Sequence, residues 1–258
     1  MVIWTVANQK GGVGKTTSTI ALGGLLAERN NRVLLIDLDP HASLTYYFNI
    51  DSEELQQSAY DLLLEGPEVS YEKITAAIQQ TSFENIDVLP ATMALATLDR
   101  KLGGRSGMGL VLRKALRKLR MDYDYVLIDV PPVLGVLMVN ALAACSQVIV
   151  PVQTETLALK GLDRMLQTLE LVKNSLRQNH LVTVVPTMYD KRTRASLDAY
   201  QKLIKKHGSK VWAGMIPVDT KFRDASAEHT PPSLHAPKAR GVLAYTQLLQ
   251  HLLSKTNS

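Results

Sequence analysis

The sequence predicts a doubly wound α/β fold, a mostly parallel sheet with helices on both faces. Three observations carry this. Short, continuous apolar runs recur and end in glycines or carboxylates, the pattern of strands covered on both sides. Helical periodicity fills the intervals between them. A chain of 258 residues, 46% of them hydrophobic, is long enough to build one such domain around an ample core. No repeat, low-complexity segment or long linker divides it, so a single domain over 1–258 is expected.

The elements follow in order. Val2-Ile3-Trp4-Thr5-Val6-Ala7 is a β-prone first strand. Residues 16–29 then carry helical spacing, with Ile20, Leu22, Leu25 and Leu26 on one stripe. Residues 32–37 form a second strand, closing on Asp37-Leu38-Asp39-Pro40. Residues 65–68 and 103–107 are loop-like. Leu112, Leu116 and Leu119 mark the inner face of a helix whose outer face carries Arg113, Lys114, Arg117, Lys118 and Arg120. That basic run reads as a solvated helix surface. Tyr125-Val126-Leu127-Ile128-Asp129 is a third strand, and the apolar stretch 140–145 ends in Cys145, expected as a small buried hydrophobe. After an irregular stretch at 230–233, a last helix starts at Gly241, with Val242, Leu243, Leu248, Leu249, Leu252 and Leu253 on its apolar side.

Between the first strand and its helix lies Asn8-Gln9-Lys10-Gly11-Gly12-Val13-Gly14-Lys15-Thr16-Thr17. This is nearly the phosphate-cradling P-loop pattern, with Gln9 where the first glycine would fall and an extra lysine at position 10. Gly11, Gly12 and Gly14 permit a loop whose successive N–H groups converge on oxygen anions, and the helix N-terminus adds partial positive charge. Lys15 is expected to reach the β- and γ-phosphates of a nucleoside triphosphate, the Thr16 hydroxyl to ligate Mg²⁺, and Thr17 to sit by the α-phosphate. Ligands of open parallel sheets sit at the carboxyl ends of the strands, where Asp37, Asp39 and Asp129 arrive. Asp129 matches the carboxylate that holds Mg²⁺ through water. Asp39 is expected to orient the attacking water and to face the metal, and Asp37 to support metal and loop. A helix N-cap or turn residue is the alternative for any one of them.

These residues resemble the ParA/MinD family of deviant-Walker P-loop NTPases. The resemblance is carried by residues 10–17, Asp37-Leu38-Asp39-Pro40, Leu127-Ile128-Asp129-Val130-Pro131-Pro132, Pro151-Val152-Gln153-Thr154-Glu155 and Thr187-Met188-Tyr189-Asp190, in family order along nearly the whole chain. It implies a weak basal ATPase using ATP and Mg²⁺. It makes Lys10 the signature lysine, catalytic together with Lys15 and Asp39, crossing to the partner's nucleotide in an ATP-sandwich homodimer. Residues Gly11 to Thr17, including Val13, would cradle the phosphates. Thr187, Met188, Pro217, Val218 and Asp219 would approach the adenine, the last three from a loop after a late strand. Arg192 and Lys221, with Arg194 and Arg223 in the same clusters, would contact DNA without sequence preference.

Net charge is +5, and residues 191–240 hold eleven Lys/Arg against four Asp/Glu. That bias fits phosphate-backbone binding; a solvated basic face is the alternative. The lone cysteine excludes a disulfide framework and the iron–sulfur relatives of this fold, and agrees with a cytoplasmic protein. No apolar run is long enough for a membrane span, and no signal peptide is expected. The last helix, with one lysine in its final segment, is expected to dock on the sheet rather than on a membrane. No N-terminal DNA-reading domain is expected. Three functions follow: a nucleoid-associated positioning ATPase released by a ParB-like or array adaptor protein, a MinD-like membrane-cycling regulator, or a metabolic P-loop enzyme. Residues 39–48 and 135–145 are similar to a ParA-like subgroup encoded among chemotaxis genes, which implies a chemosensory array, often polar, as cargo ahead of a plasmid or chromosome. His41, where partition proteins usually carry glutamine, is either a sensor of nucleotide state or a plain loop residue.

Overall fold

The computed structural model describes residues 1–102 and 107–256. The chain runs β1 (Val2–Val6), α1 (Lys15–Ala27), β2 (Val33–Asp37), α2 (Ser43–Tyr47), α3 (Ala59–Glu65), α4 (Tyr71–Ala77), β3 (Gln79–Gln80), β4 (Ile86–Leu89) and α5 (Leu98–Leu102). It continues through α6 (Val111–Lys118), β5 (Tyr125–Asp129), α7 (Val136–Ala144), β6 (Gln147–Gln153), α8 (Thr156–Leu176) and β7 (Leu181–Thr187). Helices α9 (Arg194–His207), α10 (Lys221–Ala227), α11 (Pro232–His235) and α12 (Arg240–Thr256) complete it. Of the loop expected at 103–107, residues 103–106 lie outside the described residues.

The strands form one sheet in the order β3-β4-β2-β5-β1-β6-β7, parallel throughout except for β3 against β4. Side chains alternate between two cores, as strand geometry requires. Leu34, Ile36, Val126 and Ile128 face one core, and Val33, Leu35 and Leu127 the other. Register then fixes the functional edge. Val6 and Asp37 each pair with Asp129, so β1, β2 and β5 end side by side.

Helix α1 departs from the expected single stripe. Every residue from Ser18 to Ala27 is buried, because α11 and α12 cover the side that the sheet leaves open. Gly23 lets α1 lie directly on β2, since a Cβ there would fall 2.7 Å from Leu35 Cδ2.

The last helix docks against α1, through Val242, Leu248, Leu249 and Leu252. Leu243, expected on the same stripe, is 52% exposed, and Tyr245 takes the inward place instead, its hydroxyl 2.8 Å from Ser18 Oγ. The apolar side of α12 is thus consumed in the core, and no helix among the described residues is long and apolar enough to cross a membrane. Leu248→Ala is expected to cost about 3 kcal/mol of unfolding free energy in a denaturant titration, the usual range for a fully buried leucine. An unchanged midpoint would refute the docking.

Two smaller expectations are refined. The segment before Pro217 is not a full strand: Val211 and Pro217 make only isolated bridges to Val184 and Tyr189. Cys145 is buried, and burial pushes its thiol up to about 12, so it has no nucleophilic character at neutral pH.

Candidate active site

The loop between β1 and α1 is tied down before it turns. Asn8 Nδ2 donates to the Pro151 carbonyl at 2.7 Å, and Asn8 Oδ1 accepts from the Lys10 amide at 3.0 Å. Gln9 donates through Nε2 to Thr168 Oγ1 on α8 at 3.0 Å. A glycine at position 9 could not make that tether. Gly12 and Gly14 sit at φ 71° and 89°, left-handed values that favour glycine. A Cβ built on Gly11, Gly12 or Gly14 meets nothing within 4 Å, so open space lies around the loop. The first turn of α1 has no side-chain cap, which leaves its N–H groups for a ligand's oxygens. Val13 is buried and its carbonyl accepts from Thr187 Oγ1 at 2.9 Å. Lys15, at 8% exposure, is buried at the head of α1.

The three aspartates divide their work. Asp129 Oδ2 accepts from Thr16 Oγ1 at 2.5 Å, while Asp129 Oδ1 is buried without a protein partner. Burial, and then the neighbouring Asp37 charge, raise the Asp129 carboxyl well above the usual range, against the pull of Thr16 and Lys15. A cation beside Oδ1 would reverse that logic. The orphan oxygen and the adjacent Thr16 hydroxyl therefore fit a magnesium ion held by Thr16, by substrate phosphates and through water by Asp129. Among the described residues no cluster of three or more His, Cys, Asp or Glu could hold a metal by itself, so substrate oxygens have to complete the shell. Asp37, expected to support both metal and loop, has both oxygens occupied by protein donors. Oδ1 accepts from the Asp39 amide at 3.0 Å, and Oδ2 from the Thr45 amide and hydroxyl at 2.9 and 2.8 Å. It holds the β2–α2 turn, the loop-supporting part of its expected role. Asp39 lies beyond it, with its side chain 16% exposed.

Lys10 takes an unexpected partner. Its Nζ pairs with Glu155, at the end of β6, and lies 3.4 Å from Gln153 Oε1. In the single chain this lysine is therefore folded back on its own β6–α8 junction.

Beside the loop is a cavity of about 340 Å³ bordered by Gly14 and Thr17. Thr187, Met188, Pro217, Val218 and Asp219 all line it, as expected of base-contacting residues. Asp219 does so with an engaged carboxylate, accepting from the Lys221 amide at 3.1 Å and the Gly241 amide at 2.9 Å. Phe222 and Tyr245 line it too, and the sequence did not single them out. Arg223, expected on the DNA-contacting face, lines this same cavity.

On the far side of residues 217–220 lies an open groove of about 630 Å³ with Lys191, Arg192 and Arg240 on its walls. The two hollows share Pro217, Val218, Asp219 and Thr220. The Arg192 side chain is 80% exposed and donates to Asp190 at 2.9 and 2.7 Å. Arg194 is 93% exposed with Asp198 3.9 Å away, and Lys221 reaches Asp224 at 3.0 Å. Such exposed pairs are weak and open readily to a stronger anion. On α6, Lys114 pairs with Glu68 and Lys118 with the Val69 carbonyl, in keeping with a solvated outer face.

Comparison with known proteins identifies the chain's relatives. A family model described as an AAA domain matches residues 1–182. The chain is 36% identical over 251 residues to the sporulation initiation inhibitor protein Soj of Bacillus subtilis, covering 97% of each. It is 37% identical over 257 residues to the chromosome partitioning protein ParA of Caulobacter vibrioides, covering 98% of this chain and 94% of that one. Among solved structures, one described as cobyrinic acid a,c-diamide synthase from Mycobacterium smegmatis, with bound ADP and magnesium, superposes with a TM-score of 0.86. Its identity is 36%, covering 100% of this chain and 96% of that one. The same protein is also known with a bound ATP analogue and magnesium.

Proposed function

The chain belongs to the ParA/Soj family of P-loop ATPases, and from that premise we propose that it is a positioning protein whose ATP-bound homodimer holds DNA non-specifically until a partner triggers hydrolysis. It is an ATPase and uses ATP with Mg²⁺. The observation that carries the positioning reading is Lys10, a second cation on a loop where Lys15 already serves the chain's own phosphates.

In the proposed reaction, water attacks the γ-phosphorus and the bond to the β,γ-bridging oxygen breaks, its electron pair leaving with ADP. Asp39 accepts a hydrogen bond from that water and so aims its lone pair. Lys15 neutralises the β- and γ-oxygens as charge shifts toward the bridge. Lys10 leaves Glu155 and adds its charge from the second chain, as an arginine finger does. Magnesium, when bound, draws electron density from the phosphate oxygens. The N–H groups of the glycine loop and the α1 N-terminus hold the chain's own nucleotide in line.

DNA binding is proposed through Arg192 on the groove wall, with Arg194 and Lys221 outside the groove, because these cations are exposed and bound only to weak surface partners. Arg223 is the exception, since it borders the base cavity. The deciding assay measures DNA affinity with ATP and with ADP across a salt series. ATP-loaded protein should bind and ADP-loaded protein should not. Arg192→Glu should weaken binding at least about tenfold and flatten the salt slope by roughly one, with the dimer intact. No affinity with ATP at low salt would overturn the DNA reading, and it would favour a metabolic P-loop enzyme, the second reading raised by the synthase-named structure.

For cargo we favour a chemosensory array, supported by the stretches 39–48 and 135–145. Chromosome partition, the role named for the Caulobacter vibrioides ParA relative, or plasmid partition comes next. An array adaptor or a ParB-like protein would then be the trigger. Loss of the gene should scatter fluorescent array foci without changing chromosome segregation; the opposite result would reverse the order.

A further inference from the structure

We propose that His41 is a positioning residue for Asp39, holding its carboxylate so that one oxygen alone receives the attacking water. The proposal rests on the ATPase reading in which Asp39 aims that water.

Four observations converge on the turn. Asp39 Oδ1 accepts from the His41 amide at 3.0 Å and lies 2.9 Å from His41 Nδ1. With a proton on Nδ1 the ring donates to this carboxylate oxygen. The imidazole is 81% exposed and the carboxylate 16%, so the ring stands on the solvent side of the acid. The turn itself is clamped from within, by Asp37 on the Asp39 amide and on Thr45. Finally, Ala42 is held at φ 53°, a left-handed value that alanine adopts only under constraint, with its amide donating to the Asp39 carbonyl at 2.8 Å.

The backbone of residues 39–42 therefore has little freedom left, and the remaining freedom of Asp39 is rotation of its carboxylate. One amide donor on Oδ1 restrains that rotation weakly. Two donors on the same oxygen fix it. Among the described residues no protein donor reaches Oδ2, so Oδ2 is the acceptor presented to water. Aim of this kind acts on the transition state more than on ground-state binding.

The test uses the full chain, with ATP turnover measured at saturating DNA and the lifetime of the ATP-loaded dimer followed by light scattering after an ADP chase. His41→Leu should lower kcat about tenfold, the size of one hydrogen bond lost only in the transition state, and leave KM within about twofold. Its dimer should live correspondingly longer. His41→Asn, which keeps a side-chain donor, should recover most of kcat. In an Asp39→Ala background His41→Leu should add nothing, because both act through one carboxylate. A parent-like kcat and dimer lifetime in His41→Leu would overturn the proposal while Asp39→Ala stays inactive. Equal kcat losses in the Leu and Asn variants would overturn it too. If instead Asp39→Ala hydrolyses ATP at the parent rate, the reading of Asp39 itself falls.

Discussion

Lys15→Ala should reduce ATP affinity by about three orders of magnitude, to the edge of detection. Lys15 is 8% exposed at the head of α1, beside a loop whose curvature leaves room for phosphate. Removing it takes away charge-assisted contacts to two phosphate groups, each worth about 1.5–3 kcal/mol. A loss of about 4 kcal/mol corresponds to a change in Kd near a thousandfold. It also leaves Asp129 without the cation that favours its charged form. Titration with a fluorescent, non-hydrolysable ATP analogue, with circular dichroism to confirm folding, checks it. Tight binding by this variant would sink the P-loop assignment.

Lys10→Ala should show the reverse profile. Nucleotide binding by the single chain should stay within about twofold, since the lysine is turned toward Glu155. The ATP-dependent dimer should be lost, its dissociation constant rising at least about a hundredfold when two lysines no longer cross. Opening the Lys10–Glu155 pair first costs little, because both side chains are partly exposed, at 31% and 41%, and such pairs contribute about 0–1 kcal/mol. Light scattering with ATP against ADP is the measurement. A dimer that forms at the parent concentration would remove Lys10 from the interface.

The glycine loop, its flanking strand and helix, and the three strand-end aspartates were legible because each is a short run whose pattern maps onto local geometry. What each aspartate does with its oxygens was not. Asp37 is buried and turned to Thr45, Asp39 is partly exposed and turned to His41, and such partners are not written in a strand pattern. The base cavity was half legible. Residues 187–188 and 217–219 follow from the resemblance, but Phe222 and Tyr245 come from α10 and α12 and read in sequence as ordinary core aromatics. The basic cluster at 221–223 divides for a geometric reason. Residues two apart on a helix do not share a face, so Arg223 borders the cavity while Lys221 pairs with Asp224 on the surface, although the sequence sets them in one cluster. The stripe on α1 failed because amphipathicity records one buried side, and α12 arrives more than two hundred residues later to bury the other.

The strip Pro217–Thr220 is a wall shared by the cavity beside the glycine loop and the cationic groove. Two ligands leaning on one wall form a closed thermodynamic cycle, and its corners must balance. Whatever factor ATP contributes to polyanion affinity, polyanion returns to ATP affinity in equal measure. On the DNA reading proposed above, an ATP dissociation constant for this chain is defined only at a stated DNA concentration and salt.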